Sequence, residues 1–555
     1  MGDSTEIQAA GDAISLFWSQ RYSNVMAKLR RGKEGGWKEN FWVGIVVIII
    51  TGLLVFFLSQ AYAEHRENDR LQRQIDSSLR EAYSRLDSGQ YEEAINLYAE
   101  TLDKISSKDY PYEFANSHNN MGIAYYNLAL AKDKEKNLNN AFQAFEEALR
   151  IFTIKRYPVN YARTQNNLGA AYVTLAEVRD AEENIKNAIQ AYEEALIIRT
   201  LEQYPVDYAT TQNNLGNAYW ALAEIRDKEE NLNKAIQSFN EALKIRTVAQ
   251  CPFYYAATQI NLGNSYQSLA GVRDAEKNLK SAIEAYKEAL KIYSIERYPI
   301  LYATTQNNLG NVYWALSRVR NSEENLMSAS KAYKEALKVR TVERYPHDYA
   351  MTQNNLGNAY SALYRVGDEE KNSKSAIEAY KEALRIFTPE QYPIYYAATK
   401  SNLGNAYINL AVVRDADENI LSAIQAYEDA LIIRTVELYP VDYATTQNNL
   451  GNAYLHQALA EIGDKEGNLN KAIQAFEEAL KIRTQELYPI EYAQTQYNLG
   501  NTYHALAEIR DKEENCKSAI EAYEEALKTY TEEEYPIPNQ IVKSNLELAQ
   551  SQLQQ

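Results

Sequence analysis

A Tyr-Pro dipeptide punctuates this chain at an almost fixed interval. Its prolines are Pro111, Pro158, Pro205, Pro252 (where Cys251 replaces the tyrosine), Pro299, Pro346, Pro393, Pro440, Pro489 and Pro536. Successive prolines lie 47 residues apart, except for one interval of 49 between Pro440 and Pro489, with the extra two residues near His456 and Gln457. A period this regular argues against one large globular core. Each unit has to bury its apolar side against its neighbours, as in a stacked array.

The unit that begins at Pro205 shows what is stacked. Tyr208, Leu215, Tyr219, Leu222 and Ile225 recur at helical spacing, and Arg226-Asp227 marks a turn. Leu232, Ala235, Phe239, Ala242 and Leu243 give a second helix its apolar stripe. Asp227 with Glu230 has the spacing of a capping box. Glu229 and Glu230 near the start and Lys244 and Arg246 near the end suit the helix dipole. Proline is tolerated in the first turn of a helix and breaks one elsewhere, so Pro205 and Pro252 delimit the unit. Each unit is thus predicted to be two antiparallel helices.

The set Leu215-Gly216-x-x-Tyr219 followed by Ala235, Phe239 and Ala242 resembles the tetratricopeptide repeat (TPR) signature, and it returns as Leu309, Gly310, Tyr313, Ala329, Tyr333 and Ala336. Gly216 inside a helix costs about 1 kcal/mol relative to Ala, so a close approach between the paired helices is expected there. The resemblance implies an all-α fold: a right-handed superhelical solenoid of antiparallel helix pairs, preceded here by one N-terminal transmembrane helix. The usual repeat has about 34 residues. The longer unit is therefore more similar to the extended repeats of kinesin light chains. The expected organisation is a basic N-terminal segment at 1–40, a membrane helix at 41–62, a linker at 63–74, a compact repeat at 75–108, nine extended units at 109–536 and a capping helix at 537–555. Gly89-Gln90-Tyr91 supplies the turn of the compact repeat.

Ahead of the repeats, Phe41 to Leu58 carry no charge, and Thr51 is their one polar side chain. A helix of that length spans about 27 Å, close to a bilayer core. Trp37, Trp42 and Tyr62 flank it as interfacial aromatics do. Arg21, Lys28, Arg30, Arg31, Lys33 and Lys38 precede the span, whereas Arg66, Arg70, Arg73 and Arg80 follow it. That bias predicts a single-pass membrane protein with a cytoplasmic N-terminus and repeats on the outer face. Ala61-Tyr62-Ala63 also has the form of a signal-peptidase site, so cleavage after Ala63 is the alternative to a retained anchor. Ile14, Trp18, Tyr22, Val25 and Leu29 outline a candidate amphipathic helix. The span holds no GxxxG pattern, and the oligomeric state is left open.

The formal net charge is −17, and the excess of acid falls after residue 80. Such a surface repels phosphates, so nucleic acid is not an expected partner. The cysteines, Cys251 and Cys516, lie too many repeats apart to form a disulfide, and Cys516 stands where other units carry Leu232 or Leu279. The five histidines have no metal-ligand spacing. There is no HExxH, CxxC, Walker loop or GxSxG element. No enzyme activity, metal or cofactor is expected.

Asparagine carries the functional expectation. It occupies one position in every unit, from Asn120 and Asn167 through Asn214, Asn261, Asn308, Asn355, Asn402 and Asn449 to Asn498 and Asn545. The preceding position is also Asn in six units, Asn213 among them. Three residues beyond the ladder come Asn217, Asn264, Asn311, Asn358, Asn405, Asn452 and Asn501. Asparagine is a poor helix former, and at about 0.5 kcal/mol each so many would cost on the order of 10 kcal/mol. One compensation is a hydrogen bond to the neighbouring repeat. The other is a groove of amides that pairs with the backbone of an extended peptide. The repeats of O-linked N-acetylglucosamine transferases resemble this arrangement, with a groove asparagine in the same Asn-Leu-Gly setting. Trp220 and Trp314, three residues past Asn217 and Asn311, are the candidate anchors. The leading expectation is a membrane-anchored scaffold that binds extended segments of other proteins. The rivals are an exported receptor for a glycan or cell-envelope polymer and a structural spacer.

Overall fold

The computed structural model describes residues 37–554 and a few positions between 16 and 31. Ile14, Trp18, Tyr22, Val25 and Leu29 lie outside the described residues. Twenty-one helices follow one another between Trp37 and Gln554, and there is no strand among the described residues. The chain divides into two compact units, Met1–Asn160 and Tyr161–Gln555.

In the first unit a single helix runs from Trp37 to Asp87. Its apolar part is wholly unburied and has a mean hydropathy of 2.4 over its most apolar window. It is the one described helix long and apolar enough to cross a membrane. Residues 63–74, expected as a linker, are helical and continue the span without a break. The segment holds neither Gly nor Pro, so nothing in it stops the helix. Ile75 and Ala82 near its end are buried with Ala94, Ile95 and Tyr98 of the helix Tyr91–Leu102. Gly89 makes the turn between these helices with φ +79°, a conformation that favours glycine. The pair Pro111–Ala131 and Lys134–Leu149 completes this unit, with Phe145 lying against Gly122.

The second unit repeats the same pair. In Pro205–Ala223 and Lys228–Leu243, residues Leu215, Leu222, Leu232, Ala235, Phe239 and Ala242 are buried. Ile225 is not, because the first helix ends at Ala223 and leaves Ile225 in the turn, 43% exposed. Gly216 has the packing reason its position demanded. A Cβ there would stand 2.6 Å from the ring of Phe239, and the same contact recurs from Gly169–Tyr192 to Gly500–Tyr523. Cys516 is fully buried, as a small core residue.

The turn between paired helices departs from the expected capping box. Asp227 sits in the left-handed region at φ 46°, and its side chain caps nothing. The Asn231 side chain caps the turn instead, donating to the carbonyl of Arg226 at 2.9 Å, and equivalent bonds link Asn278 to Arg273 and Asn515 to Arg510. Asp368 and Asp464 do cap, through the amides of Lys371 and Gly467. In both cases the preceding residue is Gly367 or Gly463 rather than arginine. Where arginine is present it ties one pair to the one before it. Arg226 meets Glu182 at 2.9 Å, Arg320 meets Glu276 and Arg414 meets Glu370 at 2.7 Å. Lys186 and Arg226 together hold the Glu182 carboxyl down to about 2.

Candidate functional site

The asparagines lie on the first helices of the pairs, and most of their bonds run between repeats. Asn213 is 9% exposed, and its amide oxygen accepts from Thr258 of the next pair at 3.0 Å. Arg246, itself buried, donates to that threonine at 2.9 Å. The same relay runs from Arg340 through Thr352 to Asn307 and from Arg483 through Thr495 to Asn448. The position before the ladder thus lies between repeats rather than on the open face.

The ladder itself also bridges. Asn308 donates to Asn264 at 3.4 Å, Asn355 to Asn311 at 3.3 Å, and Asn402 to Asn358 and Asn449 to Asn405 at 3.2 Å. Each acceptor oxygen takes a second bond from the tyrosine that packs on the nearby glycine. Tyr286 donates to Asn264 at 2.6 Å, Tyr333 to Asn311 and Tyr380 to Asn358 at 2.8 Å, and Tyr427 to Asn405 at 2.6 Å. Burial pushes the hydroxyls of these four tyrosines up, so they remain protonated donors.

With both bonds on the amide oxygen, the amide nitrogen is what remains. The Nδ2 groups of Asn264, Asn311, Asn358 and Asn405 donate to nothing in the protein. Four consecutive repeats therefore carry one unused, oriented N–H₂ group each.

Two repeats differ in an instructive way. Where the buried ring is Phe239 or Phe476, no hydroxyl reaches Asn217 or Asn452, and both amides are without a hydrogen bond. The next ladder residue then turns to the earlier position, Asn261 to Asn213 at 3.5 Å and Asn498 to Asn448 at 3.4 Å. Asn214 likewise turns to Asn166 at 3.4 Å, since Ala170 stands where seven units carry asparagine, Asn217 among them. Asn167 is half-buried on its own first helix. A Phe239→Tyr substitution is expected to supply the missing hydroxyl and move Asn261 onto Asn217. The gain should be about 0.5–1.5 kcal/mol, read as slower amide exchange in the helix Pro252–Ala270. Unchanged exchange would show that the hydroxyl does not set the ladder's register.

Trp220 is 36% exposed beside Asn217 and borders a cavity of about 470 Å³. Ile185, Phe239, Asn261 and Asn264 line the same cavity. Trp314 is half-buried, with the Arg318 guanidinium 5.6 Å from its ring centre. No group of His, Cys, Asp and Glu side chains among the described residues is arranged to hold a metal ion.

No curated protein matches the sequence. Among solved structures, the C-terminal part of a TPR repeat-containing protein from Cytophaga hutchinsonii is 14% identical. It aligns over 56% of this chain and 95% of its own, with a TM-score of 0.37. The apo form of RapI is 15% identical over 74% of this chain and 98% of its own, with a TM-score of 0.43. A signal-transduction ATPase with a tetratricopeptide repeat sensor, from Pyrococcus horikoshii, is 15% identical over 82% of this chain and 67% of its own, with a TM-score of 0.40. The tetratricopeptide repeat family model matches residues 123–152, 216–247 and 453–486, each reaching from a first helix into its partner. With the same helix pair recurring through the array, the chain contains tetratricopeptide repeats.

Proposed function

We propose that this protein is a membrane-anchored scaffold whose first-helix face binds extended segments of other proteins. The observation that carries the reading is the row of unused amide nitrogens on Asn264, Asn311, Asn358 and Asn405. Four donors at one register suit the carbonyls of an extended backbone, which recur whatever the side chains are. Asn217 and Asn452, with donor and acceptor both unused, extend the row, and the cavity at Trp220 receives one anchoring side chain. Asn213, Asn214, Asn261, Asn308, Asn355, Asn402 and Asn449 serve this face by fixing one repeat to the next. The helix from Trp37 holds the array at the bilayer, and the basic residues ahead of it favour an N-terminus inside.

The test places a photocrosslinking amino acid at Ala221 or Ala315 on the first-helix face, or at Gln190 on a second helix, in the full-length protein in cells. Adducts from the first two positions and not from the third are expected. Equal labelling from all three would contradict a binding groove on the first helices.

A further inference from the structure

The second helices carry an anomaly of charge that the groove does not use. Where one pair meets the next, a tyrosine of the following first helix reaches back to a side chain of the preceding second helix. At two joints that side chain is a carboxylate at short range: Tyr219 donates to Glu193 and Tyr454 to Glu428, both at 2.8 Å. Tyr503 reaches Glu477 at 3.5 Å.

At three consecutive joints between these, the carboxylate is replaced by lysine. The Nζ of Lys287 lies 5.9 Å from the ring centre of Tyr313, Lys334 5.4 Å from Tyr360, and Lys381 5.5 Å from Tyr407. All three lysines are exposed, and none pairs with a carboxylate. The hydroxyls of Tyr313, Tyr360 and Tyr407 donate to nothing. Each joint therefore presents an ammonium and a phenol hydroxyl where its counterparts hold a carboxylate.

Along the same three helices and at their C-caps, Lys280, Lys291, Lys338, Lys374 and Arg385 are each paired with a glutamate (Glu276, Glu288, Glu335, Glu370 and Glu382), whereas Lys287, Lys334 and Lys381 are not. At the third joint a cavity of about 440 Å³ opens, lined by Lys381, Arg385, Lys400, Tyr407, Gln425 and Asp429. Lys400 stands where neighbouring pairs have Gln353 and Gln447, and it holds Asp429 at 2.7 Å.

We propose that the second-helix face across Lys287, Lys334 and Lys381 binds an acidic segment of a partner protein, one Asp or Glu carboxylate at each joint. The partner's carboxylate takes the place that Glu193 has beside Tyr219, accepting from the tyrosine hydroxyl while the lysine neutralises it. A single exposed ion pair contributes little, so recognition depends on all three joints acting together and weakens with salt. This surface is independent of the asparagine groove, and neither requires the other.

Charge reversal gives a test in which folding is preserved. Lys287→Glu, Lys334→Glu and Lys381→Glu together recreate the Glu–Tyr bond present at Glu193, so the triple variant keeps a native joint. Full-length protein in a neutral detergent is titrated with a fluorescent peptide of alternating Glu and Gly, followed by anisotropy. Wild type is expected to bind at least about tenfold more tightly than the triple variant. Tyr313→Phe, Tyr360→Phe and Tyr407→Phe together are expected to weaken binding about threefold while leaving every lysine in place. Equal binding by wild type and the charge-reversed variant would overturn the proposal. So would binding of wild type to vesicles of an anionic phospholipid or to polyphosphate without binding of the Glu peptide.

Discussion

Gly357→Val should loosen the array at one joint and leave distant repeats intact. A single Cβ at this position would already lie 2.5 Å from the Tyr380 ring, and valine adds two further methyl groups. The ring has no room to retreat, being 1% exposed and bonded through its hydroxyl to Asn358. Asn358 in turn accepts from Asn402 of the next pair, so a displaced ring disturbs the ladder as well as the pair. Overpacking of this kind costs about 1–3 kcal/mol, and valine regains little in helix propensity. In an array, stability is a sum of local and nearest-neighbour terms. Amide exchange in residues 346–384 should then accelerate by about 5- to 150-fold, with a smaller change in 393–413 and none beyond 489. Gly271→Ala is the control. Its backbone is right-handed and its Cβ meets only the Ser268 carbonyl at 3.4 Å, so exchange should be unchanged or slower. Uniform acceleration over the whole chain would indicate that the repeats do not open separately.

The sequence revealed the helix pairs for a physical reason. Pro205 and Pro252 fix where a unit begins, and the apolar spacing of Leu215, Leu222, Leu232 and Phe239 fixes which sides are buried. The turn was less legible. Asp227 and Glu230 have capping-box spacing, but a left-handed Asp227 turns its side chain away from the helix amides, and Asn231 instead ties the turn from inside the helix by donating to the Arg226 carbonyl. The joining of span and repeats into one helix is hidden by the place of residues 63–74 between two stronger features. Their own composition, free of Gly and Pro, points to helix.

The asparagine positions were visible at once, but the division of labour among them was not. Whether Asn217 or Asn264 is anchored depends on the residue 22 positions on, Phe239 or Tyr286. Whether the next ladder residue bonds to it depends on the same choice. A single hydroxyl, set on the partner helix, thus separates an oriented donor from a free amide. The pattern was present in the sequence as a Phe/Tyr alternation, yet its meaning required the distances between helices.

That division of labour makes the binding claim testable without damage to the fold. Asn311→Asp, Asn358→Asp and Asn405→Asp keep the oxygens that accept from Tyr333, Tyr380 and Tyr427 and from Asn355, Asn402 and Asn449. They exchange each of the three unused amide donors for a charged acceptor oxygen, which cannot donate to a backbone carbonyl and repels it. At about 0.5–1.5 kcal/mol for each lost hydrogen bond, the triple variant should bind a groove partner about 10- to 2000-fold more weakly. The deciding measurement is quantitative recovery, from detergent-solubilised full-length protein, of the partner identified by crosslinking at Ala221. Circular dichroism should first establish that wild type and variant have the same helix content. The folded variant is expected to lose the partner. Recovery equal to wild type would contradict this expectation and make the asparagine rows a means of joining repeats alone.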